Sequence, residues 1–172
     1  MKRYILAILF LIPLCALPVK AELSKRWKVS AVKAIPIVIE KYGPLIVEAS
    51  REFKNPPRFV AAILVVESLG KPCAASPMGA KGLMQTMPII AKETGIHGNS
   101  CDPRTSIRRG SAYLALLRDK YGLRSLERIA VGYVRGPNRA KRMSKKEVRK
   151  HFYARKVRFV LRHLSKTNWP TH

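Results

Sequence analysis

Carboxylates are scarce in this chain: ten Asp and Glu stand against 34 Lys and Arg, for a formal net charge of +24. So few acids narrow the choice of any acid-base group, and a field of that sign suits nucleic acid, anionic lipid or an anionic polymer. Aromatics are few as well (two Trp, six Tyr, five Phe) and show no stacking pattern of the kind that single-strand nucleic-acid binders use. Low-complexity tracts and internal repeats are missing, which sets solenoids and disordered chains aside. Strand-like alternation never lasts more than a few residues, so no sheet is expected. After the N-terminus no second long hydrophobic run appears, so no membrane span is expected there.

The N-terminus reads as a separate object. Lys2 and Arg3 precede an apolar run from Tyr4 to Val19, and Val19-Lys20-Ala21 ends it with small residues around the cleavage point, the layout of a secretory signal peptide over 1–21. Pro13, Pro18 and Lys20 break the run short of a comfortable span, and Leu14 before Cys15 is too large for a lipobox. Cleavage near Ala21 removes three cations and no acids, leaving +21 on a protein expected to be soluble in the periplasm or secreted. In that compartment an envelope polymer is a better partner for the charge than nucleic acid, and no nucleic-acid partner is expected.

Cysteine is also sparse. Of three, Cys15 falls in the leader, and the remaining pair, Cys73 and Cys101, is a disulfide candidate in an exported protein, with about 3 to 4 kcal/mol of stabilisation in the chain-entropy model. The metal alternative would recruit His97 and Asp102, but that spacing matches no ligand pattern, and neither metal nor cofactor is expected.

What the chain does contain is helical periodicity. Residues 22–41 read as a charged lead-in and first helix, with Val32, Ile35, Val38, Ile39 and Tyr42 at helical spacing, bent at Pro36 and stopped at Gly43. Pro44 should open a second helix, and Pro57 a third that ends at Glu67 and Ser68. That third helix is apolar on most faces and should be central. Leu69 to Pro77 is loop, Gly82 to Met87 one short helical turn, and Pro88 opens a helix ending at Gly95. Asp102-Pro103 reads as a cap and first turn, followed by a stripe of Ile107, Gly110, Leu114, Leu117 and Tyr121. A helix from Ser125 to Val134 stops at Gly136-Pro137. Ser144 and Glu147 form a capping box ahead of one long helix to about Leu164, with Tyr153 on its apolar stripe. The expected fold is an all-α domain of about seven to nine helices over 42–165, with 166–172 as a tail.

Of the ten carboxylates, seven (Glu40, Glu48, Glu52, Glu93, Asp119, Glu127, Glu147) sit among other charges, Glu22 lies in the lead-in and Asp102 reads as a cap. Only Glu67 follows a run of apolar or small residues, Phe59 to Val66. Burial there disfavours the ionised form and raises the pKa, as a general acid needs, although a buried structural carboxyl is equally compatible with the composition.

Five blocks then occur in order: Glu67-Ser68; S-P-x-G-A-x-G-L-M-Q-x-M-P from Ser76 to Pro88; Asp102-Pro103; the I-x-x-G-x-x-Y-L run from Ile107 to Leu114; and G-Y-V-R-G-P from Gly132 to Pro137. Together they resemble the catalytic domain of soluble lytic transglycosylases over roughly Tyr42 to Leu164. The resemblance implies a lysozyme-like helical fold that cleaves the bond between N-acetylmuramic acid and N-acetylglucosamine in peptidoglycan. It implies Glu67 as acid and then base, and Ser68, Ser76, Gln85, Met87 and Tyr133 as substrate-binding. It also implies that Tyr133 reaches the catalytic carboxyl with its hydroxyl, with Gly79, Gly82, Gly136 and Pro137 structural. No motif supplies a second carboxylate of the kind a two-acid glycosidase needs, so the sugar's own C6 hydroxyl would close a 1,6-anhydro ring. A goose-type lysozyme, in which water attacks instead, shares the fold and the single Glu. One departure stands out: Val134 and Arg135 replace the family's usual Asn and Ala in A-Y-N-A-G-P, removing a polar contact near the pocket. Partners expected are glycan strands, anionic envelope polymers and a secretion or conjugation machine, with general wall turnover equally open. The rival from another class is a cationic envelope-binding protein whose basic final helix works without catalysis.

Overall fold

The computed structural model describes residues 22–169, so the expected leader at 1–21 and the last three residues of the tail lie outside the described residues. Among the described residues the fold is all-α, with eight helices and only two isolated β-bridges. None of these helices is long and apolar enough to cross a membrane.

The first helix, α1 (Lys25–Glu52), runs unbroken through Pro36, Gly43 and Pro44. The expected stop at Gly43 and restart at Pro44 are absent. The apolar stripe explains why: Ala31, Ala34, Ile35, Val38, Tyr42, Ile46 and Ala49 keep one buried face in register across the proline and glycine. Burial along that stripe outweighs the missing N–H at each proline. Ser24 caps the helix by accepting from the Trp27 amide.

α2 (Pro57–Ser68) is the central element. Every residue from Phe59 to Val65 is essentially inaccessible, because α1, α4 and α8 pack around it. Leu69 ends α2 in the left-handed conformation, with its N–H on the Val65 carbonyl. A non-helical stretch, 69–87, follows; the helical turn expected over Gly82–Met87 is instead a hydrogen-bonded turn flanked by bridges Ala75–Lys81 and Lys81–Thr86.

α3 (Pro88–Thr94) leads to α4 (Pro103–Asp119), whose Asp102 cap accepts from the Thr105 amide and hydroxyl, as the sequence suggests. α4 is tied to the C-terminal end of α1 by ion pairs Arg104–Glu48 and Arg108–Glu52. Both are exposed and contribute little each. α5 (Leu126–Arg135) is followed, after Gly136, by a short α6 (Pro137–Arg142) where the Gly-Pro pair predicts only a stop. The capping box of Ser144 and Glu147 is present, but the single long helix expected after it is two: α7 (Lys145–Lys150) and α8 (Phe152–Leu164). His151 adopts an extended ψ of 132° between them, and its Nδ1 accepts from the Tyr153 amide, so α8 starts with its own cap.

Candidate active site

Glu67 is the next-to-last residue of α2. The solid core behind it delivers the carboxyl to a half-buried position at the helix C-terminus, where the last carbonyls also disfavour negative charge. Desolvation dominates and pushes its pKa up from 4.5 to about 7; a hydrogen bond from Tyr153 and the positive charge of Lys156 pull the other way. The Tyr153 hydroxyl, on α8, donates to Glu67 Oε1 at 2.5 Å. Burial and the neighbouring carboxyl hold the Tyr153 phenol well above its ordinary pKa, so it stays a donor.

Here the structure corrects the expectation for Tyr133. Its hydroxyl has one proton, and that proton goes to the Met84 carbonyl at 2.6 Å, not to Glu67. The ring packs against Tyr113 in a tilted arrangement, with centroids 5.4 Å apart, and Tyr133 is near enough for the Glu67 charge to raise its pKa. Tyr133 therefore links the turn to the acid's surroundings, while Tyr153 contacts the acid itself. Sequence reasoning placed Tyr153 in the core stripe of the last helix. The available signal was that a buried phenol needs a partner, and only one buried carboxyl was on offer.

The turn facing this region is pinned from several sides. Ser106 Oγ accepts from the Met84 amide, and the Met84 carbonyl is taken by Tyr133, so α4 and α5 both hold it. Gly82 lies so close to the loop before Cys101 that a Cβ would come within 2.1 Å of the Ser100 carbonyl. Its φ of +86° also favours glycine. Gln85 adopts a left-handed φ of 46°, a strained state for a side-chain-bearing residue. Two carbonyls stabilise it: Gln85 Nε2 donates to Ala74 at 2.8 Å and to Gly82 at 3.0 Å. Those acceptors fix the amide orientation and leave Oε1 as the uncommitted atom.

The other expected site residues divide. Ser76 Oγ accepts from the Ala80 amide, tightening the turn whose Gly79 has φ +87°, while its own proton is still available. Met87 is exposed at the start of α3, beside exposed Ile89. Ser68 does not face a groove: it is buried, donates to the Leu64 carbonyl and accepts from the Gly70 amide, so it closes the end of α2. Gly136, at φ +80°, and Pro137 make the junction of α5 and α6. Val134, where the family pattern has Asn, is 45% exposed. Cys73 and Cys101 form a disulfide with Cα atoms 4.6 Å apart.

Of the remaining acids, Glu48, Glu52, Asp119 and Glu127 are in ion pairs, and Asp102 and Glu147 cap helices. Among the described residues no carboxylate shifts Glu67, and no cluster of three or more His, Cys, Asp or Glu could hold a metal.

Three comparisons with known proteins bear on this arrangement. The model of the transglycosylase SLT domain matches residues 44–155. The transglycosylase of Enterobacteria phage PRD1 is 39% identical over 92 residues, covering 54% of this chain and 34% of that protein. The membrane-bound lytic murein transglycosylase F of Vibrio campbellii is 36% identical over 83 residues, covering 48% of this chain but 15% of its own length. The chain thus spans about a third or less of these relatives. The structure of the 70 kDa soluble lytic transglycosylase SLT70 from Escherichia coli superposes with a TM-score of 0.60 at 26% identity, over 71% of this chain and 24% of that one.

Proposed function

The chain belongs to the transglycosylase SLT domain family, and from that premise we propose that it is a peptidoglycan lytic transglycosylase with Glu67 as its acid and base. The observation that carries the reading is Glu67 itself: a half-buried carboxyl with a pKa of about 7, held by Tyr153, beside a turn fixed by Tyr133 and Ser106.

A carboxyl with that pKa is substantially protonated at neutral pH and suits both directions of proton transfer. The hydrogen bond from Tyr153 occupies Oε1, leaving Oε2 for the substrate. In the first step Glu67 protonates the oxygen between N-acetylmuramic acid and N-acetylglucosamine, and that bond breaks. The muramoyl N-acetyl group shelters the cation at C1. The ionised Glu67 then takes the proton of the same sugar's C6 hydroxyl, whose oxygen bonds to C1 and closes the 1,6-anhydro ring. A single carboxyl suffices because the sugar supplies both the sheltering group and the nucleophile. Gln85, Ser76 and Met87 are the groove residues in this reading, and the enzyme acts outside the cytoplasm, on the wall.

The test is clearance of purified peptidoglycan by wild type and Glu67→Gln. The variant should bind the wall normally and cleave at least about 10³ times more slowly. Undiminished clearance by Glu67→Gln would overturn Glu67 as the acid, and no clearance by either protein would leave a cationic binding protein as the better description.

A further inference from the structure

Two side chains at the margins of the family match come together, and the charge of one of them, Lys156, acts on Glu67. Trp27 precedes the first matched residue, and Lys156 directly follows the last. The Lys156 ammonium lies 4.6 Å from the centroid of the Trp27 ring, on α1, and 4.9 Å from that of Phe152, on α8. Trp27 in turn packs on Phe159, with centroids 5.8 Å apart. Lys156 is three residues after Tyr153, so the two project from one face of α8, and Tyr153 is in contact with Glu67. Among the described residues Lys156 has no carboxylate within ion-pair distance. A half-buried cation sandwiched by two rings, and without a salt-bridge partner, is held in place by cation–π attraction.

We propose that Lys156, fixed by Trp27 and Phe152, is a positioning residue for Glu67: its charge stabilises the ionised carboxyl that must act as base in the second half of the reaction. The inference rests on reading Glu67 as the acid and base. Protonation of the leaving group turns a neutral carboxyl into an anion in a desolvated place, with no second carboxylate to share the work. A cation held nearby lowers the cost of that anion without donating a proton in place of the acid. Burial pulls the Lys156 pKa down while Glu67 pushes it up, and Lys156 pulls Glu67 down, so each group registers the other. The titratable groups facing Glu67 are Tyr153 and Lys156 from α8 and Tyr133. α1 and α4 also pack on α2, and none of their described charged side chains shifts Glu67. The device uses the N-terminal part of α1, which gives that segment a functional part as well as a packing one.

The experiment is an NMR titration of labelled glutamate carboxyl carbons in the full chain, with Glu67 assigned by its loss in Glu67→Gln. Lys156→Met keeps the length of the side chain and removes the charge; Lys156→Arg keeps both charge and ring stacking. In Lys156→Met, Glu67 should titrate higher by roughly half a pH unit or more, and Lys156→Arg should stay near wild type. The alkaline limb of peptidoglycan cleavage should move with the titration. An unmoved Glu67 titration in Lys156→Met overturns the inference. So does an Arg variant that behaves like the Met variant, since packing would then be the cause. The two readings fail separately: loss of all cleavage in wild type contradicts the transglycosylase assignment, whereas the titration reads the Lys156–Glu67 coupling without substrate.

Discussion

Glu67 is destabilising where it sits. Its pKa is about 7 in the folded chain against an ordinary 4.5, so between those values the folded state holds a proton that the unfolded state has lost. Stability therefore falls as pH rises through that window, and the full cost is present above about 7. Glu67→Gln removes the cost while keeping an acceptor for Tyr153. Thermal melts should show the variant more stable at pH 8, by on the order of 2 kcal/mol, and level with wild type near pH 4. Parallel pH dependence in the two proteins would mean that the carboxyl is not desolvated. Tyr153→Phe removes the hydrogen bond that lowers the Glu67 pKa. The alkaline limb of the pH–rate profile should move up, and the rate should drop roughly tenfold as the carboxyl loses its fixed orientation. Tyr133→Phe should leave that limb closer to wild type, because its hydroxyl holds Met84 rather than the acid.

At the scale of elements, what was legible in the sequence is what burial alone decides. The apolar run Phe59 to Val66 identified α2 as central and Glu67 as the exception at its end, and Asp102 and Ser144 announced their caps. The errors fall where tertiary packing overrules a local signal. Gly43 and Pro44 looked like a stop because their local cost is real, but α1 continues since its stripe stays buried on α2 and α4. The break at His151 was hidden for the opposite reason: the apolar stripe carries on across it. Tyr153 is core, as its spacing predicts, but spacing does not show where a hydroxyl's bonds go: that of Tyr153 reaches Glu67, and that of Ser68 closes the end of α2. The turn from 79 to 87 depends on a close approach that only glycine permits. Gly82→Ala should cost roughly 2 to 4 kcal/mol, measured by calorimetry, and reduce cleavage by displacing Gln85. A variant as stable and active as wild type would show that the Ser100 loop yields easily.

The whole molecule joins a compact helical core to a strongly cationic exterior. The disulfide Cys73–Cys101 ties the start of the turn segment to the loop before α4, and the Ala74 carbonyl beside Cys73 receives both Gln85 Nε2 and the Gly82 amide. Reduction should lower the melting temperature, in line with about 3 to 4 kcal/mol, and slow cleavage before the fold is lost. The positive field, +24 over the full sequence, should hold the protein to an anionic wall. Binding of Glu67→Gln to peptidoglycan should therefore weaken steeply with salt, and salt-insensitive binding would assign retention to the groove instead. The central claim concerns one carboxyl and an attacking group that comes from the sugar. Digestion of peptidoglycan in water enriched in heavy oxygen, followed by mass spectrometry of the muropeptides, tests it most directly. Anhydro-ended fragments without the heavy isotope are expected; reducing-ended fragments carrying one heavy oxygen would contradict it and make the enzyme a hydrolase.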